Sequence, residues 1–240
     1  MVAACVLVLS ACGGGGEQSL VNKSSFAAGD SRTYEQSVVV GGNSTVNTKF
    51  SITRNSPTED GSYTVTTRDL SSPSTVDGVS IGGSQSVAAY DAQHHLQQTT
   101  STGAGRAPTV CKDASPRKPR PDPLLLSSVW SDDWSISCDV GNVTSHHVTS
   151  YQLRHGHVVG LDTVTVPAGA FATVHIYQEV DATTTSVPFI HHSVENIWLD
   201  RVTGINVKTD LEISYSNGAP VGAYVTHLTD ELAAVQQGSR

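Results

Sequence analysis

Two histidines, His155 and His157, stand two residues apart in the stretch YQLRHGHVVG. On one strand that spacing puts both on the same face, a workable start for a site that Zn, Cu or Ni would accept. The adjacent pairs His94-His95, His146-His147 and His191-His192 would instead point to opposite faces. The chain has ten histidines; their plainest reading is as solvent-facing polar positions on strands, with a pH response as another. Gly78-Val79-Ser80-Ile81-Gly82 matches G-x-S-x-G. A nucleophile elbow needs a strand, a sharp turn and then a helix. The following GSQSVAAYDAQ reads as turn and strand, so the pentapeptide is expected in a hairpin. Arg106, Lys112, Arg117, Lys118 and Arg120 gather five of the fourteen Lys and Arg residues into fifteen positions. A basic loop of this kind is either solvated or in contact with an anionic surface. There is no carboxylate pair at glycosidase spacing, no phosphate-cradling glycine loop before a helix and no Cys–His dyad signature. The expectation is a protein that is not an enzyme and takes no cofactor.

Composition says what elements must hold these residues. Charged residues make up 15 % of the 240, and the net charge of −8 argues against nucleic acid as a partner. Ser, Thr, Gly and Val dominate, there is one Met, and no long Ala/Leu/Glu/Lys run suggests a helix. No stretch of 18 apolar residues exists, so no helix spans a bilayer.

Residues 1–11, MVAACVLVLSA, are uncharged and almost wholly apolar. As a helix they would span about 16 Å, half a hydrocarbon core, which is the size of a signal-peptide h-region. No Lys or Arg precedes Cys12, so a start upstream of Met1 is one expectation. Leu9-Ser10-Ala11-Cys12 resembles the bacterial lipobox. That resemblance implies cleavage before Cys12, lipid on its sulfur and acylation of the new N-terminus. Two or more acyl chains anchor stably where one does not. Gly13 to Gly16 then begin a tether of residues 12–31, and some 18 flexible residues reach roughly 20–25 Å. Gly13 rather than Asp after the cysteine implies, by resemblance to sorted lipoproteins, an outer-membrane location facing the periplasm. With Cys5 removed and Cys12 lipidated, Cys111 and Cys138 remain as a pair in an oxidising compartment, and a disulfide is expected.

From residue 32 onward strand patterns follow one another. TYEQSVVVGG, STVNTKFSITR and GSYTVTTRDL alternate β-branched residues with turn residues between the runs. Residues 100–123 are rich in Gly and Pro and read as a long loop. After it come Leu124 to Leu126, Trp130 and Trp134, expected in the core, and further strands to about residue 236. Pro167-Ala168-Gly169 and Asn217-Gly218 are expected hairpin turns. LTDELAAVQQ reads as helix or strand alike.

The stretches GLDTVTVPAGAFATVHIY and ENIWLDRVTGINVKTDLEI carry a resemblance. They look like a family of bacterial envelope lipoproteins with a TVTVPAG-x-F-x-T hairpin and a following aromatic strand. The matching residues are Thr163, Val164, Val166, Pro167, Ala168, Gly169, Phe171 and Thr173, then Trp198, Leu199, Gly204, Ile205, Val207 and Lys208. Asp200-Arg201-Val202-Thr203 depart from the family's charged or aromatic residues before the Gly. The fold implied is similar to the half-barrel of the lipoprotein-localisation carrier and receptor. The expectation is therefore mainly β: one domain over 32–236, a single curved antiparallel sheet of about 11–12 strands with little helix. A lipid or acyl chain in an apolar groove would be held by Val164, Val166, Phe171, Val174, Ile176, Ile197, Trp198, Ile205 and Val207. The alternatives are an accessory protein that binds an envelope protein through its loops over a solid core, and metal binding by His155 and His157.

Overall fold

The computed structural model describes residues 19–22, 26–41, 44–76, 79–103, 107–115, 117–118, 120–141, 147–185, 187–216 and 224–238. Cys5, Cys12, Gly13 to Gly16, Arg106 and the Asn217-Gly218 turn lie outside them. Fourteen strands follow in order: β1 (Ser31–Val40), β2 (Ser44–Arg54), β3 (Tyr63–Asp69), β4 (Ser74–Val76), β5 (Val79–Ile81), β6 (Gln85–Tyr90), β7 (Leu96–Thr102), β8 (Thr109–Asp113), β9 (Val129–Val140), β10 (His147–Val166), β11 (Gly169–Thr184), β12 (Val187–Asp200), β13 (Asn206–Ser216) and β14 (Val225–Gln236). The described residues contain no helix, and LTDELAAVQQ lies in β14 up to Gln236.

Twelve of the strands form one closed antiparallel barrel in the order β1-β14-β13-β12-β11-β10-β9-β8-β7-β6-β3-β2. The pair β4-β5 stands outside it as a two-stranded excursion that carries Ser80. This corrects the open half-barrel expected from the sequence. β1 pairs along its length with β2 on one side and with β14 on the other, from Ser31↔Gln236 to Val40↔Val225, so neither end of the sheet is left as an edge. Closure removes the unpaired backbone groups that an open sheet would expose.

The register fixes which side chains share the interior. Around the wall, Trp130 stands opposite Gly156, Gly156 opposite Gln178, Gln178 opposite Glu195, Glu195 opposite Leu211, Leu211 opposite Leu228, Leu228 opposite Val38 and Val38 opposite Val46. One row along, Asp132 faces Arg154, Arg154 faces Val180 and Val180 faces Ser193. Directly opposed residues lie on one face of a sheet, so these are rows of inward-pointing side chains.

Two apolar clusters fill the two parts of the interior that are not polar. In one, Leu124 packs with Val158, Val174, Ile176 and Ile197, covered by Leu20 and Val21. The chain before the barrel is held there by Leu20 N–H donating to the Leu124 carbonyl at 2.7 Å. In the other, Tyr34, Val166, Ile205, Val207 and Leu232 pack with Phe50, Ile52, Val164, Ala168 and Phe171. Each fully buried aliphatic side chain stabilises by roughly 1.5–3 kcal/mol.

The second cluster depends on a break in β10. Between Val158 and Gly160 the β10–β11 register shifts by one residue. Before the shift the inward residues are Arg154, Gly156 and Val158; beyond it Val164 and Val166 pair with Phe171 and Gly169. These lie on the face opposite to Val174, yet they too are covered, because the hairpin tip packs onto Tyr34, Val207 and Leu232. Ala168 N–H donates to the Leu232 carbonyl at 3.0 Å and pins the tip there. Thr173 and Val174, neighbours pointing to opposite faces, are accordingly both fully buried. The turn itself needs Gly169, whose φ of 132° L-residues rarely adopt.

Candidate functional site

Cys111 and Cys138 are directly opposed on β8 and β9 with Cα atoms 4.0 Å apart, and they form the expected disulfide. β7 and β8 run into the stretch 100–123 expected as one long loop, and what remains of it without strand after β8 begins at residue 114. Part of the loop leaves solvent. The Lys118 carbonyl accepts a 2.8 Å hydrogen bond from Arg154 Nη2, and Arg120 Nη2 donates to Gln178 Oε1 at 3.4 Å. Four residues on, Leu124 is buried among Val158, Val174 and Ile176. Among the described residues of the segment, Arg120 and Leu124 turn in against β10 and β11, while Arg117 and Lys118 stay exposed at the barrel's mouth. Lys112, on β8, remains exposed.

Beside this segment lies a chamber of about 380 Å³ inside the wall. Its charged and polar lining comprises Arg117, Arg120, Arg154, Gln152, Gln178, His191, Ser193 and Glu195, with Trp134 on one side and Val180, Ala182 and Leu211 on the other. Arg154 is held rigidly. Its Nε and Nη2 donate to the two oxygens of Asp132 at 2.7 and 3.0 Å, and both side chains are buried. Such a bidentate pair fixes the guanidinium plane. Gln178 Nε2 donates to Glu195 Oε2, which links the neighbouring strands β11 and β12 on their inner face. Arg117 lies over the Trp134 ring, 4.4 Å from its centroid, a cation–π contact.

Hydrogen-bonding capacity in this chamber is unfilled. Arg120 Nε, Trp134 Nε1 and His191 Nε2 are all buried and have no partner among the described residues. All three residues line the same chamber. Burial pulls the Arg120 guanidinium below its ordinary value, Arg154 and Arg117 add to the effect and Glu195 opposes it. Burial also lowers His191, helped by His192, so its imidazole is neutral at pH 7.

A second chamber of about 580 Å³ adjoins the first and shares Arg117, Arg120 and Arg154 with it. Its other lining includes Tyr90, His94, His95, Leu96, Asp113 and Lys118. Burial raises the Asp113 carboxyl and Arg117 works against that rise. His94, His95, Arg117 and Lys118 are exposed, so this chamber is where the lumen meets solvent.

The nine residues expected to line one apolar groove do not come together. Val174, Ile176 and Ile197 belong to the first cluster, and Val166, Ile205 and Val207, with Val164 and Phe171, to the second. Trp198 is on the outer face of β12, where its ring stacks on His175 at 4.5 Å. His155 and His157 also point outward and are exposed, opposite Glu179 and Tyr177. Among the described residues no group of three or more His, Cys, Asp or Glu is placed to hold a metal ion.

Arg154, Asp132, Gln178 and Glu195 are absent from the sequence-based site. The obstacle was β10, whose large apolar residues Tyr151 and Leu153 are 58 % and 41 % exposed while Arg154 points inward. Alternation there runs opposite to the usual rule. The usable signal was the density of charge in PRKPRPDP ahead of a Trp-rich strand.

No protein-family model matches the sequence, and no curated protein matches it. Solved structures do resemble the fold. A protein of Bacteroides fragilis NCTC 9343 described as exported, with a YmcC-like fold, is 10 % identical, covers 91 % of this chain and 100 % of its own, and superposes with a TM-score of 0.50. A protein of Parabacteroides distasonis described as a lipoprotein gives 9 % identity, 91 % and 99 % coverage and a TM-score of 0.47. The hypothetical lipoprotein YmcC of Escherichia coli gives 10 %, 83 % and 85 %, and 0.40. At 10 % identity the Bacteroides fragilis likeness is one of fold.

Proposed function

We propose that this chain is a non-enzymatic binding module of the bacterial cell envelope, anchored by lipid on Cys12 at the outer membrane and facing the periplasm. Its ligand compartment in this reading is the barrel lumen. The observation that carries it is the chamber of about 380 Å³, a size within the usual range for small-molecule sites, roughly 300–1,000 Å³. Three buried ring and guanidinium nitrogens without a partner among the described residues belong to its walls. Leaving such groups without partners costs stability, which a bound ligand would recover; five other such atoms, among them Trp130 Nε1 and Trp198 Nε1, belong to residues outside this lining.

The lipobox at Leu9 to Cys12 and the intrachain disulfide support an exported location. So does the description of the Bacteroides fragilis fold neighbour as exported. An acyl chain is a poorer guest. It needs one continuous apolar wall, whereas the apolar residues here fill two packed clusters and part of the outer surface.

The address is tested by metabolic labelling. Wild type incorporates labelled palmitate and stays with membranes, and Cys12→Ala does neither; an unlabelled wild type would remove the anchor. The compartment is tested by denaturing protein purified from its native membrane and identifying released small molecules by mass spectrometry. Release from wild type supports the lumen, and nothing above the buffer background counts against it.

A further inference from the structure

The chemistry of the lumen narrows its guest. Arg117, Arg120 and Arg154 come from two separate parts of the chain, the loop after β8 and the middle of β10, and converge on one wall. Arg154 is neutralised by Asp132. Glu195 is engaged by Gln178. Among the described residues Arg120 donates to the amide oxygen of Gln178, at a long 3.4 Å, and Glu195 is near enough to favour its charge, while its Nε has no partner. The indole N–H of Trp134 can only donate, and it lines the same chamber with no partner among the described residues. Two donors without acceptors, one of them cationic, call for an acceptor-rich group with negative charge. Gln152, Ser193, Glu195 and the neutral ring of His191 line the rest of the chamber. Gln152, Ser193 and the His191 ring both donate and accept, the Glu195 carboxylate accepts, and such a set suits hydroxyls. The outer chamber adds Lys118 beside Arg117 at its mouth, with Asp113 against Arg117 and Asp91 against His95.

We propose that the lumen binds a small hydroxylated organic anion, its carboxylate or phosphate held by Arg120 and Arg117 with Trp134 Nε1, and its hydroxyls by Gln152, Ser193 and Glu195. The proposal rests on the lumen being the ligand compartment. It separates two sources of the same chemistry, a carboxylate and a phosphate monoester on a polyol.

Full-length protein in detergent is titrated calorimetrically with gluconate, sorbitol 6-phosphate, sorbitol and hexanoate. Binding of gluconate, of sorbitol 6-phosphate or of both is expected, with sorbitol and hexanoate at least about tenfold weaker. The anion that gives heat identifies the head group. Arg120→Gln is expected to weaken binding by about tenfold or more, and Trp134→Phe, which keeps the ring and removes one donor, by several-fold. Circular dichroism and disulfide mapping confirm that each variant is folded. The proposal is overturned if neither anion gives heat, or if both variants bind as wild type does. One further result separates it from the broader reading. Should an uncharged molecule be released from denatured wild type but not from the lumen-filling Ala182→Phe, the lumen remains the compartment and the anion is excluded.

Discussion

At the scale of single residues the barrel's interior holds polar groups that an apolar core would not. Asp230 on β14 is one, placed opposite Gln36 on β1. Burial pushes its carboxyl up to about 6, and the 2.9 Å hydrogen bond from Gln36 Nε2 only partly opposes this. A carboxyl raised in the folded state contributes stability below its unfolded value and loses it as pH rises through the folded value. Wild type should therefore weaken by this contribution between about pH 4 and pH 6 and stay weakened above. Asp230→Asn keeps an acceptor for Gln36 and abolishes the ionisation. Urea unfolding at pH 8 should find the variant more stable by about 2–3 kcal/mol, and at pH 4 the difference should vanish. Equal stabilities at pH 8 would show that Asp230 ionises without cost.

At the scale of elements β10 does two jobs. Its first half builds the lumen and its second half, past the register shift at Val158/Gly160, folds over as a cap. The half that builds the lumen depends on Gly156. A Cβ placed there would lie 2.4 Å from two atoms of the Trp130 ring, because Gly156 and Trp130 are opposed on β10 and β9 and the indole lies across the glycine. Gly156→Ala must displace Trp130, and overpacking of that kind destabilises by about 1–3 kcal/mol. The check is denaturant unfolding with Trp fluorescence; the double variant Gly156→Ala/Trp130→Leu should recover part of the loss. A silent Gly156→Ala would mean that Trp130 has room to move.

At the scale of the whole molecule the cross-link at Cys111–Cys138 ties two of the twelve barrel strands, β8 and β9, across a separation of 27 residues. In the chain-entropy view a loop of that length contributes about 3.5 kcal/mol. For a domain of this size Cys111→Ala/Cys138→Ala should lower Tm by roughly 7–14 °C. Calorimetry of oxidised wild type, reduced wild type and the double variant tests this, and coincident melting of all three would show that the bond adds nothing.

Strand content, the antiparallel order of neighbours, the PAG turn and the cysteine pair were legible from residue types, because turn chemistry and period-two patterning are local. Closure was not. It requires β1 to meet β14, pairing Ser31 with Gln236, and no local pattern encodes contact across that distance. The direction of each side chain was not legible either. Alternation has a period but no sign: in β10 it is Tyr151 and Leu153 that are exposed and Arg154 that is buried, the reverse of what hydrophobicity alone assigns. A single shift within β10 then reversed the sign again for Val164 and Val166. The sequence by itself determined that this chain is built of short-range hairpins; the tertiary structure decided which of their two faces encloses the lumen, since only the sum of twist and register around twelve strands closes the ring.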